Sequence, residues 1–278
     1  NIAYRGLYTR DGMRSAIRYF ASRPGTDASA RPPHASASSS DGDLRAPLAG
    51  LRVLDLGQYT TAPLVARNLG ALGAEVLKIE PPGGDAARDW PPQQHGQGYF
   101  FTLSNSDKRS VCLDLRGGRD RDRFVALLRD ADVLVENLKP GSLDRLGFDA
   151  AKRDRINPRL VYCAISGFGA DSVYPGRPAF DTVIQAMAGI MDSIRVNGVP
   201  QKTGISFADI LGGLFALVGT LGALVSRDRG SAGDALDISM QDAAAWITQW
   251  QRPGSKQVDN TSLLRCADGY VVAQAWTG

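Results

Sequence analysis

Residues 203–226 have the sequence TGISFADILGGLFALVGTLGALVS, which is almost wholly apolar after Asp209. The run is long enough to span a membrane, but Asp209 near its start and the polar chain on both sides favour a buried core helix. A helical glycine costs about 1 kcal/mol relative to alanine, so four glycines in one helix predict close packing against other elements. These glycines are Gly212, Gly213, Gly219 and Gly222.

Asp209 is the one carboxylate of this apolar run. One interpretation is an aspartate that caps or occupies the first turn of the helix, where backbone N–H groups lack partners. The other is a functional carboxylate. The two are compatible, because a carboxylate that a helix N-terminus keeps ionised is also a good nucleophile. The local sequence leaves both open.

Composition indicates a packed protein without a nucleic-acid partner. The chain has 278 residues, of which 43% are hydrophobic, and this length suits one large domain or two small ones. Lys and Arg total 32 against 29 Asp and Glu, so the net charge is only +3. A dedicated nucleic-acid binder would show a clustered basic face instead. We therefore expect neither a nucleic-acid nor a membrane partner.

The cysteines predict the redox environment of the protein. Cys112, Cys163 and Cys266 are odd in number and have no paired spacing. We interpret them as buried thiols in a reducing compartment, rather than as a disulfide set or a zinc site. A cytoplasmic location and the absence of a metal site are therefore expected.

The first 46 residues are predicted to be an N-terminal extension. Residues 1–24 are basic and mildly amphipathic, whereas residues 25–46, which include His34, have the Ser-, Ala- and Pro-rich composition of a linker. The folded part is expected to begin at Pro47. Because the chain begins with Asn and stops at Gly278 just after a predicted strand, we expect a piece of a longer or fused protein.

Strands and helices alternate from Pro47 onward, which predicts an α/β fold with a parallel, Rossmann-like sheet. Helices are predicted at 64–72 and 120–130, and the predicted strands are 51–56, 74–80, 110–115, 133–136 and 160–165. The first turn, residues 57–63, lacks the glycine fingerprint of dinucleotide sites, which argues against a nicotinamide cofactor. Ligands of such sheets gather at the carboxyl ends of the strands.

Six stretches in this order resemble the family III CoA-transferases, which include formyl-CoA and carnitine CoA-transferases and have α-methylacyl-CoA racemase as a relative. The matching stretches are 48–56, 72–85, 105–110, 132–137, 157–162 and 166–169. The resemblance implies a large α/β domain, here 47–250, followed by a small domain whose truncated start is 251–278. It also implies an interlocked homodimer.

The resemblance implies that Asp209 is the nucleophile. The expected reaction moves CoA from an acyl-CoA to a carboxylic acid through an aspartyl anhydride and an enzyme–CoA thioester, with no permanently bound cofactor. Asp181 matches a position where transferases carry a carboxylate near the acyl group. Its alternative interpretation is the N-cap of a helix that starts at Thr182.

CoA contacts are also implied by the resemblance. They are Gln58, Tyr59, Thr60, Thr61, Lys108, Arg109, Leu113, Arg116, Asn137 and Leu138. Lys and Arg side chains are suited to CoA phosphates, although a solvated basic face is the alternative for each of the three. Many relatives carry an arginine where this chain has Pro81, so one CoA contact is expected to be missing or supplied elsewhere.

Two other functions compete with CoA transfer. A racemase needs two acid–base groups flanking the α-carbon of an acyl-CoA, and Phe180 and Arg265 stand where racemases place histidine and glutamate. Both substitutions remove a proton carrier, which favours the transferase. A non-catalytic CoA-binding segment of a longer fused protein is the third possibility.

Overall fold

The computed structural model describes residues 46–94, 96–249, 261–267 and 269–274. The basic segment 1–24 and the linker with His34 lie outside the described residues. The predicted boundary between the two domains, near residue 250, also lies outside them. The division into domains therefore stays a prediction.

Six parallel strands form the central sheet, which confirms the predicted α/β fold. The strands are β1 (Arg52–Asp55), β2 (Glu75–Glu80), β3 (Arg109–Cys112), β4 (Val133–Glu136), β5 (Val161–Ser166) and β6 (Ala235–Ser239). Their order across the sheet is β3-β2-β1-β4-β5-β6. The order reverses between β1 and β4, and such a switch point is where open α/β sheets bind ligands.

The helices include those predicted at 64–72, at 120–130 and within 203–226. They are α1 (Thr61–Ala71), α2 (Tyr99–Asn105), α3 (Gly118–Asp130), α4 (Ser142–Arg145), α5 (Ala150–Ile156), α6 (Asp181–Met187), α7 (Phe207–Asp228) and α8 (Met240–Thr248). Helix α1 begins at Thr61, earlier than the predicted Leu64. Pro63 is tolerated there, because an N–H in the first turn has no partner within the helix.

Smaller elements complete the described chain. Two short 3₁₀ helices (Ala86–Asp89 and Met191–Ser193) lie between larger elements. Two-residue ladders join Gln93–Gln94 to Gln97–Gly98 and Arg195–Val196 to Val199–Pro200. An antiparallel hairpin of β7 (Thr261–Arg265) and β8 (Tyr270–Gln274) lies near the C-terminus of the described chain.

Helix α7 packs through its glycines, as predicted for two of the four. A Cβ on Gly213 would lie 3.2 Å from Leu64 Cδ2 and 3.3 Å from the Thr61 carbonyl oxygen, and a Cβ on Gly212 would lie 2.9 Å from Met240 Cγ. Gly219 makes ordinary contact with Leu236, and Gly222 faces open space, so close packing was wrongly predicted there. The glycines near the start of α7 bring it against α1.

The length and composition of α7 alone would allow it to cross a membrane. One face of α7 is buried, as in a core helix. In its last turn Arg227 is 3% exposed and lies 3.1 Å from Asp132 Oδ1. A buried ion pair to the segment before β4 fixes the end of α7 against the sheet. The opposite face carries exposed apolar side chains, including Leu214, Val218 and Val225.

The three cysteines differ in exposure, which corrects the prediction of three buried thiols. Cys163 in β5 is buried, and burial raises the pKa of its thiol to about 12. Cys112 and Cys266 are exposed. Cys112 ends β3, one of the two edge strands of the sheet, and Cys266 follows the hairpin strand β7.

Candidate active site

Asp209 is the third residue of α7, and its carboxylate meets the start of α1. Thr61 Oγ1 donates a hydrogen bond to Asp209 Oδ1 over 3.3 Å. Thr61 follows the turn after β1, at the carboxyl edge of the sheet. The starts of two helices therefore converge on Asp209 beside the switch point, where the fold is expected to bind a ligand.

The pKa of Asp209 is raised to about 7. Burial is the largest cause, followed by the negative charge of Asp181, while the Thr61 hydrogen bond and the charge of Lys202 lower it. Loss of hydration and a second carboxylate nearby raise this pKa because both penalise the charged form.

Asp181 is the first residue of α6, not the N-cap of its own helix. Its Oδ1 instead accepts a hydrogen bond from the backbone N–H of Ala208 over 2.9 Å. Ser206, at the N-cap position of α7, makes no side-chain hydrogen bond to the helix. Asp181 therefore caps α7 from a neighbouring helix, one residue before Asp209.

The predicted CoA-binding turn lies at the switch point, with residues 58–61 after β1 and residues 137–138 after β4. Asn137 holds the turn with two hydrogen bonds, because Gln58 N donates to its Oδ1 and its Nδ2 donates to Gln58 O, both over 2.8 Å. The structure thus brings six of the ten predicted CoA residues together. They are Gln58, Tyr59, Thr60, Thr61, Asn137 and Leu138.

Tyr59 has a left-handed backbone, with φ at +64°. This conformation is costly for a bulky residue, by about 1–3 kcal/mol, and persists only where the surroundings hold it. Its N–H donates to Asp85 Oδ1 over 3.2 Å. Its ring contacts Trp90, with centroids 4.9 Å apart, and makes a T-shaped pair with Phe180, with centroids 5.7 Å apart. Three aromatic rings therefore lie together at this turn.

Buried charged side chains hold this turn through hydrogen bonds and ion pairs, and the sequence analysis did not identify them as a group. Lys78 Nζ donates to Gly57 O over 2.7 Å and pairs with Asp85 Oδ2 at 3.0 Å. Gly57 N donates to Asp55 Oδ1 over 2.7 Å. The available signal was a charged side chain directly next to buried apolar residues in two strands, Asp55 at the end of β1 and Lys78 within β2.

Lys108 belongs to the same buried cluster, which corrects its predicted contact with CoA phosphates. Its ammonium group donates to Asp55 Oδ2 at 2.7 Å, and to Pro63 O and Asn105 Oδ1 at 2.8 Å. These acceptors use all three N–H donors of a lysine. Burial lowers the pKa of Lys108 to about 8, against the opposing effect of Asp55.

The remaining predicted CoA residues lie apart from the turn. Arg109 pairs with Glu75 at 3.2 Å, at the amino-terminal end of β2, which is the wrong edge of the sheet. The Leu113 side chain is buried in the core. Arg116 is exposed beyond the carboxyl end of β3 and pairs with Asp114 at 2.9 Å. Of the three basic residues, Arg116 is the one that is exposed on the carboxyl-end side of the sheet.

Two further positions bear on acid–base chemistry. Phe180 is 61% exposed beside Tyr59 and carries no titratable group. Arg265 is exposed at the end of β7. Within the described residues, no group of three His, Cys, Asp or Glu side chains is arranged to hold a metal ion.

Comparison with known proteins identifies the family of this chain. Residues 48–277 match CoA-transferase family III. An acetyl-CoA:oxalate CoA-transferase of Acetobacter aceti is 41% identical over 208 residues, which are 74% of this chain and 54% of that protein. A succinyl-CoA:glutarate CoA-transferase of Mus musculus is 35% identical over 214 residues, 76% of this chain and 49% of that protein.

A solved structure of this family has the same fold. The crystal structure of a CaiB/BaiF family protein from Brucella suis superposes with a TM-score of 0.75 at 35% identity, covering 81% of this chain and 65% of that one. The chain spans about half the length of the curated relatives that it matches. It belongs to CoA-transferase family III.

Proposed function

We propose that this chain carries the CoA-binding turn and the nucleophile of an enzyme that moves CoA from an acyl-CoA to a carboxylic acid. The observation that carries the proposal is the position of Asp209, whose carboxylate meets Thr61 at the switch point of the sheet. The names of the relatives support the reaction type, since they pair acetyl-CoA with oxalate and succinyl-CoA with glutarate.

The first half of the proposed reaction loads CoA onto the enzyme. The ionised Asp209 attacks the thioester carbonyl, the C–S bond breaks, and a mixed anhydride and CoA thiolate result. The thiolate then attacks the Asp209 carbonyl carbon. The donor acid leaves as a carboxylate, and Asp209 becomes a CoA thioester. Each step exchanges one acyl bond for another, so covalent catalysis divides a difficult transfer into easier steps.

The second half reverses these steps with the acceptor acid. Its carboxylate attacks the Asp209 thioester, which releases CoA thiolate and forms a second anhydride. The thiolate attacks the acceptor carbonyl, and the bridging oxygen leaves on Asp209. The new acyl-CoA and a free aspartate are regenerated, and no proton is gained or lost overall.

The raised pKa of Asp209 suits this role. A more basic carboxylate is a stronger nucleophile, and a pKa near the operating pH still leaves much of the group ionised. Burial also removes competing water from the anhydride. A homodimer and a cytoplasmic location accompany the proposal as predictions from the resemblance and the composition.

An oxygen-18 experiment tests the pathway. The full-length protein is loaded with CoA from acetyl-CoA or succinyl-CoA, then treated with oxalate or glutarate labelled in both carboxylate oxygens. The second anhydride transfers one labelled oxygen to Asp209. Trypsin releases residues 203–227, in which Asp209 is the one acidic side chain, so mass spectrometry of this peptide reads the label directly.

Label in this peptide, dependent on both substrates, is the expected result. The Asp209→Asn variant is the matched control and should stay unlabelled. Transfer of CoA without label in residues 203–227 would show that the acids exchange without an Asp209 anhydride, and absence of transfer with all four substrate pairs would overturn the function.

A further inference from the structure

Gln185 is a completely buried side chain that lies one turn after Asp181 on α6. Its Nε2 donates to Asp181 Oδ2 over 2.7 Å and to Ile205 O over 2.9 Å. Its Oε1 accepts from the Thr203 backbone N–H over 3.1 Å. These bonds fix the amide in one orientation, with both donors and the acceptor engaged.

The bonds of Gln185 reach the segment directly before α7. Thr203 and Ile205 precede the first residue of that helix by four and two positions. The amide therefore ties α6 to the chain that enters α7. Because Asp181 Oδ1 caps Ala208 from the same helix, α6 holds the start of α7 at two places, on either side of the helix entry.

The two carboxylate oxygens of Asp181 have different partners. Oδ1 accepts a hydrogen bond from the Ala208 backbone N–H, whereas Oδ2 accepts one from Gln185 Nε2 and lies 3.1 Å from the Lys202 ammonium group. Gln185 thus holds the carboxylate plane so that the capping oxygen faces α7. If the amide were absent, rotation of Asp181 toward Lys202 would release the Ala208 N–H, one residue before Asp209.

Resting on the proposed function, we propose that Gln185 is a positioning residue, which acts through Asp181 to hold Asp209 in place for attack and to set the charge that Asp209 experiences. Three groups face Asp209 from the surrounding elements: Thr61 on α1, Asp181 on α6 and Lys202 before α7. Gln185 contacts the second of these directly and Asp209 not at all.

Two variants separate this role from simple core packing. Gln185→Glu keeps the shape but places a carboxylate against Asp181 and Ile205 O, whereas Gln185→Met keeps the length and removes the hydrogen bonds. Asn157→Ala is the control. Its amide also bridges backbone carbonyls, those of Leu128 and Ala131 at the end of α3, and it precedes β5, on the amino-terminal side of the sheet.

Each variant is measured in the full-length protein by thermal unfolding, by kcat and KM with the substrate pairs named above, and by NMR titration of ¹³C-labelled aspartate with Asp209→Asn for assignment. We expect Gln185→Glu to raise the Asp209 midpoint by about one pH unit, because another negative charge lies nearby. We expect Gln185→Met to lower kcat about tenfold or more at unchanged KM, because misplacement of a reacting group affects the chemical step.

Asn157→Ala should lower only the unfolding temperature. The proposal is overturned if both Gln185 variants behave like that control, with normal kcat and an unmoved midpoint. If neither variant folds, Asp181→Asn decides, since it should lower the midpoint by removing the like charge, and an unmoved midpoint refutes the coupling. The NMR midpoint needs no activity, so failure of CoA transfer would be recognised separately.

Discussion

Lys108 Nζ lies 2.7 Å from Asp55 Oδ2, with side chains that are 2% and 0% exposed. Removal of one partner of a buried pair is costly because it leaves the other charge unpaired. We predict that Lys108→Met lowers the free energy of unfolding by about 3 kcal/mol, since Lys78 remains 3.8 Å from Asp55. Urea titration measures this.

Arg109→Met is the control for Lys108, because the Arg109–Glu75 pair is exposed and such pairs contribute at most about 1 kcal/mol. Calorimetric titration with CoA separates the two interpretations of Lys108. If Lys108→Met folds with unchanged stability but binds CoA more weakly, the interpretation of Lys108 as a CoA-phosphate contact would be supported instead.

The nucleophile assignment predicts both a loss and a pH profile. Asp209→Asn should keep the fold and lower CoA transfer by several orders of magnitude, since an amide cannot form the anhydride. In the wild type, kcat/KM should rise with pH through a midpoint near 7, because the ionised carboxylate attacks. A profile that is flat between pH 5.5 and about 8.5 would contradict the assignment.

Asp209 should also destabilise the protein at neutral and higher pH. Its folded pKa of about 7 lies above the ordinary 3.8, so between these values the folded protein binds more protons than the unfolded chain. Stability therefore falls as pH rises through this window. We predict that Asp209→Asn unfolds like the wild type near pH 4 and is more stable at pH 8 by about 2–4 kcal/mol.

Urea unfolding at the two pH values measures the difference. Asp154→Asn, at an exposed position on α5, is the control for removing a solvated carboxylate. An Asp209→Asn protein that is less stable than the wild type at pH 8 would show that folding does not raise the pKa of Asp209.

Two glycines of α7 give a matched pair of opposite predictions. Gly213→Ala places a methyl group 3.3 Å from the rigid Thr61 carbonyl, so α1 and α7 should separate and both stability and transfer should fall. Gly222→Ala meets nothing within 4 Å and should stabilise the protein by up to about 1 kcal/mol through helix propensity. Thermal unfolding and kcat check both, and equal effects would disprove the packing argument.

Asn137 tests the predicted CoA-binding turn. Asn137→Ala removes both hydrogen bonds to Gln58, so the turn should lose its fixed shape and CoA affinity should fall about tenfold. Calorimetric titration with CoA measures this, with Asn157→Ala as a distant amide control. Undiminished affinity in the Asn137 variant would move the CoA site away from the switch point.

Much of the fold follows from local sequence patterns. Each predicted strand corresponds to a strand of the sheet, because apolar runs between turn residues are local signals. The position of Asp209 in the first turn of α7 was likewise readable. The roles of Lys108 and Arg109 were not, since adjacent residues in the sequence end up buried beside Asp55 and exposed beside Glu75.

Long-range contacts explain what else the sequence could not show. The pKa of Asp209 depends on Asp181 and on burial by α1, neither of which is visible in residues 203–226. Gln185 gave no signal of its own, because a single glutamine in a short helix is ordinary until its partners at Thr203 and Ile205 are known. Periodicity identifies elements, and their assembly determines the chemistry.

The hydrogen bonds around the site join residues at very different separations. Asp181 and Ala208 are 27 residues apart, whereas Thr61 and Asp209 are 148 apart. Closing the longer loop costs about 1.5 kcal/mol more in conformational entropy than closing the shorter one. During folding, we expect α6 to cap α7 first, and the contact with Thr61 to form only when the sheet has closed. Until then Asp209 is an ordinary solvated aspartate, so an incompletely folded chain is not acylated by the thioesters around it.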